Sequence, residues 1–105
     1  MEKTNKSSQV YMKDGILCLK GEVTLEFVSI FYEKGCKALL DEPEMVIDLS
    51  GVEKFDHALP ALLLTWRAQA KRLGKFFCLK RLSKDMIMLA RLSGVDEILL
   101  DCGFH

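Results

Sequence analysis

One stretch in the middle of the chain constrains the fold most, because an apolar strand pattern is followed closely by an amphipathic helix pattern. The strand is expected over residues 45–49, an apolar run broken only by Asp48. Such a run is typical of a strand buried on both faces of a sheet. A short loop then leads to a helix over about residues 57–73, which Gly74 ends by adopting the left-handed conformation.

The flanking segments continue this alternation of strands and helices. A strand over residues 10–13 and a partner over residues 16–20 are joined by Asp14 and Gly15, a hairpin signal. Residues 21–24 are expected to break the second strand, with Thr24 capping a helix over residues 25–40. A strand over residues 76–79 follows. A helix over residues 84–92, capped by Ser83 and ended by Gly94, comes next, and residues 98–100 predict a short final strand or extended tail.

The order β-β-α-β-α-β-α predicts an α/β fold. We expect a mixed sheet of four to five strands with three to four helices, mostly parallel through right-handed crossovers and with an antiparallel edge from the first hairpin. The length of 105 residues fits one domain with a single core. We assign residues 1–9 to a flexible tail and residues 10–105 to the domain.

Apolar residues recur at helical spacing and predict which helix faces point inward. The first helix is expected to bury a stripe of Leu25, Val28, Tyr32, Cys36 and Leu39, widened by Phe27 and Phe31. The second is expected to bury Leu59, Leu62, Leu63, Trp66, Ala70 and Leu73, with Arg67, Gln69, Lys71 and Arg72 mostly opposite. Pro60 fits its first turn, where a missing amide costs little. Gly35 is expected to weaken the first helix by roughly 1 kcal/mol relative to alanine.

Charge and apolar content argue against nucleic-acid binding and membrane insertion. The 15 basic and 15 acidic residues cancel, so no whole-chain field attracts nucleic acid or anionic lipid. A basic cluster at residues 71–72, 75 and 80–81 is interpreted mainly as solvated helix and strand ends. The longest uncharged run, residues 58–66, is far too short to span a bilayer, and residues 1–9 lack the apolar segment of a signal peptide.

The cysteines and histidines predict neither a metal site nor a nucleophilic centre. Cys18, Cys36, Cys78 and Cys102 lack C-x-x-C spacing, which favours free structural thiols in a reduced cytosolic protein. The chain has two histidines, His57 and His105, and no Gly-rich phosphate loop. We therefore expect no enzymatic activity, no cofactor and no metal.

The acidic residues of the central segment have structural and functional interpretations. Asp48 and Asp56 could approach each other across the loop as an acid–base pair, but aspartates at strand and helix ends more often turn or cap. Asp56 is expected to cap the second helix and Asp48 to form the turn after the central strand. His57 lies at the mouth of the helix, where an incoming acidic or carbonyl group could bind.

Several short segments, in order, resemble a stand-alone STAS domain. They are residues 19–24, residues 46–52, the Phe55-Asp56 pair before the second helix, and the stops at Gly74 and Gly94. In that family the helix opening is a contact surface for another protein. The resemblance therefore implies a protein-binding regulator whose partner-binding residues are Asp56, His57, Ala58, Leu59, Pro60 and Leu63.

Residues 61–64 and 70–74 are similar to the MlaB branch of the family, the small subunit of the Mla phospholipid ABC transporter. That resemblance implies a non-catalytic subunit that binds the transporter ATPase and supports its assembly and activity. It also implies a cytoplasmic location, peripheral to the inner membrane through the partner complex, in a system that maintains outer-membrane lipid asymmetry.

Two other functions stay open. Anti-sigma factor antagonists of the same family carry a phosphorylatable serine directly after the aspartate, where this chain has His57, which offers no hydroxyl to a kinase. MlaB-type chains usually have threonine there, so His57 departs from both branches. A third alternative is a small ligand-binding STAS module with a nucleotide or lipid in its loops. The oligomeric state is left open.

Overall fold

The computed structural model describes residues 8–99, which form a four-stranded sheet, three α-helices and a closing 3-10 helix. The elements are β1 (Gln9–Lys13), β2 (Ile16–Val23), α1 (Val28–Asp41), β3 (Glu44–Phe55), α2 (Ala58–Arg72), β4 (Phe76–Lys80), α3 (Lys84–Leu92) and the 3-10 helix Asp96–Leu99. The strand order is β1-β2-β3-β4, with β1 antiparallel to β2 and the other pairs parallel. The predicted α/β class and mixed sheet are confirmed.

The first hairpin forms as predicted. Asp14 and Gly15 have φ values of 53° and 79°, so both central residues are left-handed, as the twist of a two-residue hairpin favours. β1 begins at Gln9, and the Ser8 hydroxyl oxygen accepts a hydrogen bond from the amide of Glu22 at 3.1 Å. Residues 1–7 of the predicted tail lie outside the described residues.

β2 and β3 are both longer than predicted. β2 continues to Val23 and β3 to Phe55, so the predicted break after residue 20 and the predicted loop over residues 50–55 are wrong. Gly21 has φ 90° beside a shift in the β2–β3 register, and a Cβ on Gly51 would lie 2.8 Å from the Leu19 carbonyl oxygen. These glycines permit irregular pairing and close approach, so the strands continue through them.

The core lies between one face of the sheet and the helices. The inward strand residues alternate along each strand and are Val10, Leu17, Leu19, Val23, Met45, Ile47, Leu49, Phe77 and Leu79. Val46 and Asp48, on the opposite face of β3, are only half-buried. The prediction that this strand is buried on both faces is therefore wrong.

α1 begins later than predicted and is not capped by Thr24. A turn precedes it, in which the amide of Phe27 donates to the Thr24 carbonyl at 2.9 Å. The Thr24 hydroxyl donates to the carboxylate of Glu22 at 3.0 Å instead of accepting a helix amide. The predicted cap is wrong because this local bond occupies the side chain.

The buried stripe of α1 also differs from the predicted one. The inward residues are Phe31, Gly35, Ala38 and Leu39. Leu25 is 77% exposed and Tyr32 is 40% exposed, so the prediction fails for both. α1 carries apolar residues on two sides, and the side that includes Phe31 faces the sheet because an aromatic ring buries more apolar area.

Gly35 is the point of closest approach between α1 and α2. A Cβ on Gly35 would lie 2.1 Å from Cζ2 of Trp66, a side chain that is fully buried. The indole Nε1 of Trp66 is buried and has no hydrogen-bond partner among the described atoms. Gly35 therefore makes room for the indole ring against the α1 backbone.

Most of the residues predicted on the inner face of α2 are buried, so that prediction is largely confirmed. Pro60 lies in the first turn, and the side chains of Leu59, Leu62, Leu63, Trp66 and Ala70 are buried. Two assignments are wrong, since Leu73 is 49% exposed and Arg67, expected on the outer face, is 8% exposed. The guanidinium Nη1 of Arg67 lies 3.0 Å from the carboxylate of Glu97 in the 3-10 helix, which binds that helix to α2.

The predicted limits of α3 are confirmed. The Ser83 hydroxyl accepts a hydrogen bond from the amide of Met86 at 3.1 Å, and Gly94 ends the helix with φ 73°. The amide of Val95 then bonds back to the Ala90 carbonyl at 3.0 Å. The predicted final strand is wrong, because residues 96–99 form a 3-10 helix that buries Ile98 and Leu99; residue 100 lies outside the described range.

One cation of the predicted basic cluster has a structural role. The Lys75 ammonium donates hydrogen bonds to the carbonyls of Leu39, Leu40 and Glu42, the last at 2.9 Å. These carbonyls end α1 and lack helical partners, so Lys75 caps that helix and complements its dipole.

Candidate protein-contact surface

The ends of β2 and β3 bring the turn before α1 against the start of α2. Asp56 joins them: its Oδ1 accepts the amide of Ala58 at 2.8 Å, and its Oδ2 accepts the amide of Leu25 at 3.1 Å. Asp56 thus satisfies a free amide of α2, as predicted. It also fixes Leu25, 31 residues earlier in the chain, which the sequence did not indicate.

His57 is exposed and links α2 to α3. Its ring Nδ1 lies 3.2 Å from the hydroxyl oxygen of Ser93. This contact joins the start of α2 to the C-cap residue of α3. Ser93 lies 36 residues further along the chain, and no local sequence pattern identifies it as part of this surface.

The six predicted contact residues divide between surface and interior. Asp56 and Ala58 are half-buried and His57 is exposed. The other three are buried in the core of the domain, namely Leu59, Pro60 and Leu63. Contact of these six with a partner stays a prediction, and in the free domain only the first three offer side-chain surface.

Leu25 is the main surface residue that the sequence did not identify. It borders a groove of about 420 Å³, which the start of α1 shares with Ala58 and Ala61 of α2. On its other side lies an open depression of about 720 Å³, whose carboxylates belong to Glu22, Glu26 and Asp56. We call Leu25, Asp56, His57, Ala58 and Ala61 the entrance surface.

Asp48 and Asp56, the two carboxylates that the sequence offered as an acid–base pair, lie far apart. Asp48 lies inside β3 and Asp56 just beyond its end, a separation of about 26 Å for eight extended residues. This excludes the alternative of a carboxylate pair. Burial, together with the nearby Asp48 carboxylate, raises the pKa of the Cys18 thiol, which keeps it protonated and weakly nucleophilic at neutral pH.

The cysteines within residues 8–99 are free thiols: Cys18, Cys36 and Cys78. Cys102 and His105 lie outside that range. Within the same range, no group of three or more His, Cys, Asp or Glu side chains could hold a metal ion. None of the helices there is long and apolar enough to cross a membrane.

The domain has a mixed sheet with helices on one face. Just before α2, Asp56 holds the start of that helix and the turn before α1 together. These features are those of a small α/β domain of the STAS type. The chain belongs to the STAS domain family, since the family model described as "Mlab, STAS domain" matches residues 11–101. No curated protein matches the sequence significantly.

Several solved structures have the same fold, including two that are described as anti-sigma factor antagonists. A putative antagonist from Thermotoga maritima is 18% identical, with a TM-score of 0.69 over 89% of this chain and 83% of that one. The unphosphorylated antagonist SpoIIAA is 14% identical, with a TM-score of 0.63 over 81% of this chain and 82% of that one. A variant of RsbS from Moorella thermoacetica is 23% identical, with a TM-score of 0.61 over 92% and 82%.

Proposed function

We propose that this chain is a non-catalytic STAS subunit that binds and supports the cytoplasmic ATPase of an Mla-type phospholipid ABC transporter. Such a transporter maintains outer-membrane lipid asymmetry. The observation that carries the proposal is the match of the Mlab family model to residues 11–101. The subunit would lie in the cytoplasm, held at the inner membrane through its partner.

The entrance surface supports a packing contact as the mechanism. Leu25 is 77% exposed and lies beside Ala58 and Ala61, two small side chains over which a partner can approach closely. Asp56 holds the two backbone segments of this surface in a fixed relation through its two amide bonds. A preformed apolar surface loses little conformational entropy on binding, which favours a stable complex.

The alternative function is that of an anti-sigma factor antagonist that captures a kinase-like anti-sigma factor. The similar solved structures share the fold at 23% identity or less, which does not distinguish the two functions. The residue after Asp56 is His57, whose ring has no hydroxyl for a serine kinase. A switch that phosphorylates a serine hydroxyl is therefore not possible at this position. His57 departs from the MlaB branch as well, so the preference for the transporter function comes from the match of the Mlab family model.

Partner choice tests the proposal directly. We expect the tagged full chain, produced together with an Mla-type ATPase from the same genome, to co-elute with it in size-exclusion chromatography and to raise its ATP turnover. A parallel production with a kinase-like anti-sigma factor from that genome should give separate peaks. A stable complex with the anti-sigma factor and none with the ATPase would establish the alternative instead.

The proposal also predicts that the chain alone performs no catalysis. Purified protein should show no ATPase, GTPase or hydrolase turnover above the buffer background, because the sequence has no Gly-rich phosphate loop and Asp48 and Asp56 are too far apart to act as an acid–base pair. Turnover is measured at several protein concentrations. A rate that rises with concentration and disappears in His57→Ala, a change at an exposed side chain, would contradict this prediction.

A further inference from the structure

α1 carries a second apolar stripe that the domain does not bury. Leu40, near the end of the helix, is 70% exposed and Tyr32 is 40% exposed; Leu25, 77% exposed, lies in the turn just before the helix and extends the stripe. Val28 and Cys36 continue the stripe and are half-buried. Within α1 these residues, from Val28 to Leu40, follow each other at spacings of four, which places them along one side of the helix. Exposed apolar residues that line up on one side of a helix form a continuous surface, which is the kind of surface that a protein partner covers.

The stripe borders a groove between α1 and α2. At its upper end lies the cavity beside the entrance surface, of about 420 Å³. At its lower end lies a second cavity of about 320 Å³, lined by residues that include Leu40, Arg72 and Leu73. Between the two cavities, Gln69 donates from Nε2 to the Tyr32 hydroxyl at 3.3 Å, which forms a polar bridge across the groove.

The two ends of the groove differ in charge. The depression at the upper end carries the carboxylates of Glu22, Glu26 and Asp56 against the single ammonium of Lys54. The lower cavity is lined by Arg72, in the last turn of α2, and the Lys75 ammonium also lies at this end, bonded to the carbonyls that end α1. α1 and α2 run in the same direction, because each follows one of two parallel strands and leads back to the start of the next. Both helix carboxyl ends, with their negative dipole ends, therefore lie at the Arg72 end.

We propose that this groove receives an amphipathic helix of the ATPase partner, antiparallel to α1 and α2. An acidic first turn would lie over Arg72 and a basic last turn over Glu22 and Glu26, while apolar residues at i, i+4, i+7 and i+11 enter the cavities. This orientation also pairs opposite dipole ends. The groove is about as long as α2, about 22 Å, which corresponds to four helical turns. The inference rests on the proposed function and names the form of the partner contact.

Two synthetic peptides of about 16 residues test the groove independently of the ATPase. Both carry leucine at the four apolar positions; one has glutamates in its first turn and arginines in its last, and the other has these charges exchanged. Binding of each labelled peptide to the full chain is measured by fluorescence anisotropy. We expect the first peptide to bind at least about tenfold more tightly than the second.

Variants of the full chain then locate the bound peptide. Leu40→Glu should weaken binding of the first peptide about tenfold or more, and Arg72→Glu should remove its advantage over the second. Met88→Glu is the matched control, since Met88 is 59% exposed on α3 and lies outside the groove; it should change neither affinity. Melting curves confirm that each variant is folded.

Equal binding of the two peptides, no binding of either, or equal effects of Leu40→Glu and Met88→Glu would overturn the inference. The ATPase separates this failure from failure of the proposed function. If the ATPase binds Leu40→Glu and Arg72→Glu as well as wild type, the groove is not the contact and the function stands. If the chain binds no ATPase but discriminates between the peptides, the groove binds helices, but the proposed function fails and with it the assignment of the helix to the ATPase.

Discussion

Gly35→Ala should destabilise the free domain by about 3 kcal/mol, although alanine is the better helix former by roughly 1 kcal/mol. The added Cβ would lie 2.1 Å from Cζ2 and 2.3 Å from Cε2 of Trp66, distances at which the helices or the ring must move. The indole is fully buried and cannot swing into solvent. Thermal unfolding followed by circular dichroism should show Tm lowered by more than about 12 °C.

A double-mutant cycle isolates the ring as the cause. Trp66→Leu removes the atoms that the new methyl group meets, so Gly35→Ala should cost little or stabilise in that background. The coupling free energy is then about 3 kcal/mol. Gly74→Ala serves as the control. It strains a backbone with φ 68° but meets no atom within 4 Å, so its cost should be the same with either residue at position 66. If Gly35→Ala costs the same in both backgrounds, the contact with Trp66 does not explain the glycine.

Gly35 shows why a helix face cannot be predicted from its own sequence alone. In the sequence this glycine is only a local weakness of a helix. Its structural role depends on Trp66 of α2, whose ring occupies the space that a side chain at position 35 would need. The same competition decided which stripe of α1 turned inward, since both stripes have helical spacing and the aromatic stripe packs on the sheet.

Most features that depend on neighbouring residues were predicted correctly, with the Thr24 cap as an exception. The Asp14-Gly15 turn, the Ser83 cap and the Gly94 stop form within a few residues of chain, so their signals are complete in the sequence. The strand ends were predicted wrongly because β2 and β3 continue by pairing with each other through bulges. The paired residues lie about 30 positions apart in the chain. Their pairing outweighs the local tendency of glycine to break a strand.

The contact surface also contains local features that the sequence predicted and long-range contacts that it did not. The amide of Ala58 donates a hydrogen bond to the carboxylate of Asp56, two residues earlier, as the capping pattern predicts. Leu25 and Ser93 reach this surface only through the tertiary fold, at separations of 31 and 36 residues. Leu59 and Leu63 have the apolar character of contact residues, but the period of α2 turns them into the core.

Glutamate substitutions at two adjacent positions, Ala58 and Leu59, should distinguish a contact residue from a core residue. Ala58 is half-buried at the groove beside Leu25, so in the free domain a glutamate there can reach water. In a complex the same carboxylate must be buried unpaired, which costs several kcal/mol. Ala58→Glu should therefore abolish co-purification with the ATPase while the free domain melts within a few degrees of wild type.

Leu59→Glu should instead unfold the free domain. The Leu59 side chain is 1% exposed, and a carboxylate in that position loses its hydration without a partner, at a cost of about 4 kcal/mol or more. Ala68→Glu is the matched control, because Ala68 is exposed on α2 and lines neither groove cavity; it should change neither melting nor binding. If Ala58→Glu still binds the ATPase, the contact lies elsewhere on the domain. If Leu59→Glu melts like wild type, the first turn of α2 is not packed as described.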